Sequence, residues 1–204
     1  MRSCVARLCR TAMDGADIKR VVSLLYGVDA WRFAGEVAII DRMSLLRFVA
    51  VVALALWVGG LVALGVAAPT LFQVLEQHAP NGRELAGAAF GDVFARFQHV
   101  AWGLGTALLA SIGARAALGP RPRRTGIRIW IAATMLALSL ASALYIAPRI
   151  ERIRASVPGP VASLPATDAR RVEFGRLHGA SNALMVATIV FGLGLLWFET
   201  RDTH

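Results

Sequence analysis

The sequence predicts an all-α integral membrane protein, a four-helix bundle. Two observations carry that prediction. Hydrophobic residues make up 56% of the 204-residue chain, with a mean hydropathy of +0.58, above the roughly 45–50% apolar content of soluble domains. Four windows free of Asp, Glu, Lys and Arg, from Phe48 to Leu75, Phe97 to Ala114, Ile129 to Pro148 and Leu177 to Phe198, each reach the ~18 residues needed to cross a hydrocarbon core about 30 Å thick. Four helices buried in a soluble protein would need more polar surface than this chain offers.

The elements follow in order. Residues 1–42 mix charges with one weakly apolar patch, "VVSLLYGV", and contain no apolar run of the signal-peptide kind. At Met43 the composition changes abruptly into "MSLLRFVAVVALALWVGG", so Met43 is expected to be the initiator and residues 1–42 an extension. The membrane domain is expected over 43–200, with spans at 45–75, 97–118, 127–148 and 177–198 and a short tail at 201–204. Pro69 should kink the first span. "APNG" (79–82) reads as a turn, followed by an amphipathic approach that sets Phe90, Val93, Phe94 and Phe97 on one face. "GPRPRR" (119–124) cannot continue a helix. Trp130 and Tyr145 bracket span three at interfacial depth, with Pro148 as its expected end, and Trp197 anchors span four. The last connection holds Pro158, Pro160 and Pro165, then Thr167-Asp168 as a helix N-cap.

The charge of +9 comes from 21 Arg and one Lys, placed at span ends without interleaved aromatics. That pattern flanks a bilayer and excludes a nucleic-acid partner. Arg115, Arg121, Arg123, Arg124 and Arg128 make the loop between spans two and three the basic one. Both termini are therefore expected in the cytoplasm, in a bacterial inner membrane. Cys4 and Cys9 lack the spacing of a zinc or redox motif.

Small residues at helical spacing, Gly59, Ala63 and Ala67 in span one and Gly103, Ala107 and Ser111 in span two, predict close helix packing. Topology then brings the end of spans one and three to the same side as the start of spans two and four. Gln73, Glu76, Gln98, Tyr145, Arg149, Ser181 and Asn182 should form a polar cluster there, toward the outer leaflet. His99 and His178 fall at similar depth, and if both faced one cavity the imidazoles would suit haem or copper. The plainer reading of each residue is a hydrogen bond to a neighbouring helix or headgroup. No nucleophile elbow accompanies Ser181, and "GLG" (192–194) lies within a span rather than in a phosphate loop. No catalytic residue is expected.

Four segments, "WVGGLVALGVAAPTLF", "GDVFARFQHVAWGLG", "PRIERIR" and "FGRLHGASNALMV", resemble the transmembrane protein 205-like family across about residues 44–200. Phe174, Leu177, His178 and Ser181 match that family's fourth-span pattern, while Asn182 is offset by one position. The resemblance implies four spans and hints at metal or solute traffic. The "W-x-GG" run and following Pro are also similar to copper resistance protein D and to the haem-containing membrane protoporphyrinogen oxidase. Three functions are therefore expected in order: non-enzymatic handling of a small solute or metal, a haem- or copper-dependent oxidoreductase, and an assembly partner of another membrane protein. Four helices make a thin wall for a complete pathway, which points to a homodimer.

Overall fold

The computed structural model describes residues 30–118 and 124–201, with residues 30–41 as backbone only. Most of the expected extension, the centre of the basic turn and the tail beyond Arg201 lie outside the described residues. The chain divides into two compact units, Met1–Leu45 and Leu46–His204. The first contributes the beginning of helix α1, and the second holds the membrane bundle.

Helix α1 covers Ala30–His78, α2 Gly82–Leu118, α3 Thr125–Ala141, α4 Ala147–Ala155 and α5 Ala169–Arg201. A π-helical turn, Ser142–Ile146, fuses α3 to α4. Four rods are long and apolar enough to span a bilayer, Arg42–His78, Gly82–Leu118, Thr125–Ala155 and Ala169–Arg201. Their outward surface agrees with that solvent: Val49, Leu56, Val62, Val66, Val190 and Trp197 are all exposed, and Trp130 is 75% exposed. An aqueous surface would not tolerate so continuous an apolar belt. The chain is an all-α, multi-pass membrane protein.

The rods overrun the expected spans because amphipathic ends extend the helices into the interfacial layer. At 31 to 37 residues they are about 46–56 Å long at 1.5 Å per residue. The approach before span two is continuous with it, since α2 starts at Gly82. Pro69 lies inside α1, which runs on to His78. Span three does not stop at Pro148. The proline lacks an N–H for a regular i→i−4 bond, and the π turn resets the ladder just before it, with the Ala147 N–H donating to the Ser142 carbonyl five residues back. Pro148 then occupies the first turn of α4, where no donor is required.

The α1–α2 turn is tight. A side chain on Gly82 would overlap the Leu75 carbonyl, so glycine is obligatory there. Asp168 caps α5 as expected, its Oδ1 accepting from the Arg170 N–H at 2.8 Å while Oδ2 pairs with the Arg170 guanidinium at 2.9 Å.

Buried residues recur at alternating spacings of three and four: Ala50, Leu54, Trp57 and Leu61 on α1; Gln98, Ala101, Gly105, Leu108, Ile112 and Arg115 on α2; Arg128, Ala132, Met135 and Ser139 on α3; Thr188, Gly192, Leu195 and Glu199 on α5. This is the seam of a left-handed helical bundle. Three glycines allow the helices to close. Gly60 faces the Phe97 ring, Gly192 faces Val58, and a Cβ on Gly105 would stand 2.8 Å from the Trp57 ring. Gly59 and Gly103 have nothing within 4 Å of such a Cβ, so the expected packing positions are corrected to Gly60 and Gly105. Neighbouring residues point about 100° apart on a helix, and only the tertiary arrangement selects between them.

A second apolar cluster, Ile146, Ile153, Val161 and Leu177, packs the far end of α4 and the 3₁₀ turn Val161–Ser163 against α5. There Arg154 reaches across to α2, its Nη1 donating to the Gly87 carbonyl at 3.4 Å and to Glu151 Oε1 at 3.0 Å.

Candidate functional site

Two polar constellations interrupt the apolar seam. The first lies mid-bundle. Trp57 and Leu61 of α1, Phe94 and Gln98 of α2, Ser139 and Ser142 of the third rod, and Met185 and Thr188 of α5 line a cavity of about 10 Å³, the room of a single water. Gln98 and Ser139 are buried and paired: the Ser139 hydroxyl donates to Gln98 Oε1 at 2.8 Å, and Gln98 Nε2 donates to the Ser139 carbonyl at 3.5 Å. Ser142 and Ser181 set their hydroxyls 3.4 Å apart between α5 and the π turn. Thr188 donates to its own helix at Leu184, 2.8 Å away, which leaves its oxygen able to accept.

Trp57 is the exception. It is fully buried, and its indole N–H has no hydrogen-bond partner. An unmade bond on a buried donor costs about 1–3 kcal/mol. The cavity lining therefore combines Trp57, whose buried indole N–H is unbonded, with hydroxyl and amide groups and no formal charge, beside a π turn of the kind that recurs at functional sites.

The second constellation closes the other end of the seam. Glu199 is 0% exposed. Its Oε2 accepts from Arg115 Nη1 at 2.6 Å and its Oε1 from Arg128 Nη1 at 2.9 Å. Arg128 Nη2 also reaches the Phe198 carbonyl at 3.1 Å, and Arg47 Nη2 the Glu199 carbonyl at 2.7 Å. All four membrane-spanning rods thus meet in one ionic layer. The guanidinia also satisfy carbonyls at the negative end of α5.

The sequence-predicted residues divide between these places and the periphery. Gln98 lines the cavity, and Ser181 reaches it through Ser142. Gln73 and Asn182 are exposed. Glu76 pairs with Arg83 at 3.4 Å on the surface, and the Arg149 guanidinium covers the exposed Tyr145 ring at 4.1 Å. His99 is exposed, with Nδ1 2.9 Å from the Ala95 carbonyl and its ring edge-on to Trp102. His178 is exposed and stacked on Phe174. Among the described residues no group of three His, Cys, Asp or Glu side chains is gathered as a metal site.

Sequence reasoning missed Ser139, Ser142, Thr188 and the whole ionic layer. The spacing contained the signal. Arg47, Arg115, Arg128 and Glu199 each continue the three-and-four register of the apolar seam by one step, which puts them inside the bundle rather than beside it.

A family model described as a domain of unknown function, DUF4149, matches residues 52–157, just over half of the chain. The chain belongs to the DUF4149 family. The matched DUF4149 segment runs from α1 through α4 and supplies Trp57, Gln98, Arg115, Arg128, Ser139 and Ser142; Thr188 and Glu199 come from α5, outside it. No curated protein and no solved structure matches the chain.

Proposed function

We propose that this membrane protein handles a small, uncharged, hydrogen-bonding solute at the mid-bundle polar layer, whose cavity has room for a single water at rest and widens to admit the solute, without chemical conversion of it. The observation that carries the reading is the buried Trp57 N–H without a partner, beside a cavity lined by Gln98, Ser139, Ser142 and Thr188. A buried donor left open among hydroxyl and amide groups is stabilised by a guest that accepts from it. The absence of formal charge in the lining favours a neutral molecule over a bare ion, because an ion there would lack a counter-charge. A bis-imidazole haem or copper site draws no support from the outward rings of His99 and His178.

Two finer readings accompany it. The kinship extends to the transmembrane protein 205-like proteins on the four segments quoted above. Both termini face the cytoplasm, supported by the Arg-rich turn between α2 and α3.

The test is binding. Saturation-transfer difference NMR of the protein in lipid nanodiscs should show transfer to urea or glycerol protons above that of protein-free nanodiscs, and Gln98→Leu should weaken it. Transfer no greater than that of protein-free nanodiscs for both probes would overturn the reading.

A further inference from the structure

We propose that the polar layer is reached from one end of the bundle only, the end where α1 finishes at His78, while the Glu199 end is held shut. The inference rests on the reading of the polar layer as a solute site, and it adds the route and the moving part.

The two ends are built differently. Toward Glu199, about ten residues of each of α1, α3 and α5 separate the cavity lining from the ionic layer, or about 15 Å at 1.5 Å per residue. Leu54, Leu108, Met135 and Leu195 fill that interval, and none of them is accessible. Beyond them the Glu199 carboxylate is held by two guanidinia from two other rods. Opening this end would require separating ion pairs that are already out of water, the costliest kind to break.

Toward His78 the bundle loosens. Helix α1 buries Ala50, Ala53, Leu54, Trp57, Val58 and Leu61, but none of residues 62–78 is buried. The apolar cluster at this end is built from the π turn, α4, the 3₁₀ turn and α5, and α1 is not among its buried members. Between the outer half of α1 and α2 lies a cleft of about 780 Å³ lined by Ala63, Leu64, Ala67, Leu71, Phe90 and Val93. Pro69, which removes a backbone hydrogen bond from the same half-helix, gives it a place to bend.

What covers the polar layer on this side is a lid of single side chains. Phe94, Leu61 and Met185 line the cavity itself, and Met185 Cε lies 3.8 Å from where a Cβ on Gly65 would stand. Methionine is unbranched and adapts readily. Gly65 leaves it room, and outward movement of the unburied half of α1 would uncover the Gln98–Ser139 pair while the ionic layer stays intact.

Side-specific thiol labelling tests this. In a background with Cys4 and Cys9 changed to serine, Ser142→Cys and Ser139→Cys report on the cavity. Gln77→Cys and Thr200→Cys mark the two ends. Sealed membrane vesicles of each orientation are treated with a small, uncharged, hydroxylated, membrane-impermeant methanethiosulfonate. Both cavity thiols should react from the side that labels Gln77→Cys, at least about tenfold faster than from the side that labels Thr200→Cys, a barrier difference of about 1.4 kcal/mol or more. Equal or faster reaction from the Thr200 side, or reaction from neither side, overturns the inference. A failure of urea and glycerol to bind with the labelling asymmetry intact would refute the proposed function and leave the one-sided route standing.

Discussion

Changing Glu199 to glutamine should unlock the closed end of the bundle, and its cost can be worked from the geometry. Each carboxylate oxygen holds one guanidinium, at 2.6 and 2.9 Å, and the side chains of Arg115 and Arg128 are only 7% and 2% exposed. Glutamine keeps the shape, turns one acceptor into a donor facing a cation, and takes the Glu199 counter-charge away from two buried guanidinia. Breaking a buried pair in this way costs about 3–5 kcal/mol. At 1.36 kcal/mol per decade, that lowers the folding equilibrium by two to almost four orders of magnitude, roughly. Salt should restore little of it, because screening acts mainly on exposed charges. The assay is reversible unfolding in mixed dodecylmaltoside and dodecyl sulfate micelles, followed by circular dichroism. A triple variant with methionine at 115, 128 and 199 removes all three charges together and should return to within about 1 kcal/mol of the parent. A loss below about 1 kcal/mol for Glu199→Gln, the value of an exposed ion pair, would refute the reasoning.

Three further outcomes are expected. Gly105→Ala should destabilise the bundle by about 1–3 kcal/mol through overpacking, because its Cβ would stand 2.8 and 3.0 Å from the Trp57 ring and 3.1 Å from Leu136 Cδ1; Gly59→Ala, with open space around it, should be neutral or gain up to about 1 kcal/mol of helix propensity in the same assay. Gln98→Leu removes the acceptor that Ser139 uses at 2.8 Å and should cost about 1–2 kcal/mol of unfolding free energy. The hydrogen bonds that Arg170 gives Asp168, first from its side chain and then from its backbone N–H, hold that carboxyl below its usual range. A lowered folded-state pKa means that the cap's contribution is complete above the unfolded value of about 3.9 and is lost only as pH falls through the lower folded value. Protection of the first-turn amides of α5, measured against their intrinsic exchange rates, should therefore persist at pH 4 and fall below it, and should already be reduced at pH 5 in Asp168→Ala.

The spans were legible because bilayer thickness imposes one number on every crossing segment, and four apolar windows met it. Their ends were less so, for identifiable reasons. Pro148 looks like a terminus until a π turn supplies the bond pattern it needs, and Gly59 and Gly60 are equally small, so that only the position of Phe97 on a neighbouring rod separates them. Gln98 and Ser181 stood out as polar residues at a span's edge, and both reach the interior layer. Ser139 and Ser142, three apart in an apolar run, carried the same signal more quietly. The ionic layer was misread for a different reason. Arginines at span ends ordinarily flank a membrane, and proximity to an end outweighed the three-and-four register that places Arg115, Arg128 and Glu199 on the buried seam.

The most direct measurement of the central claim is the environment of one proton. In indole-¹⁵N-labelled protein in lipid nanodiscs, the Trp57 N–H resonance, assigned by its loss in Trp57→Phe, is examined for magnetisation transfer from water and for a shift on adding urea or glycerol. A water cross-peak, with a solute-dependent shift that Gln98→Leu weakens, is the predicted result. An indole that exchanges no magnetisation with water and does not move with either solute would show a dry cavity and contradict the account.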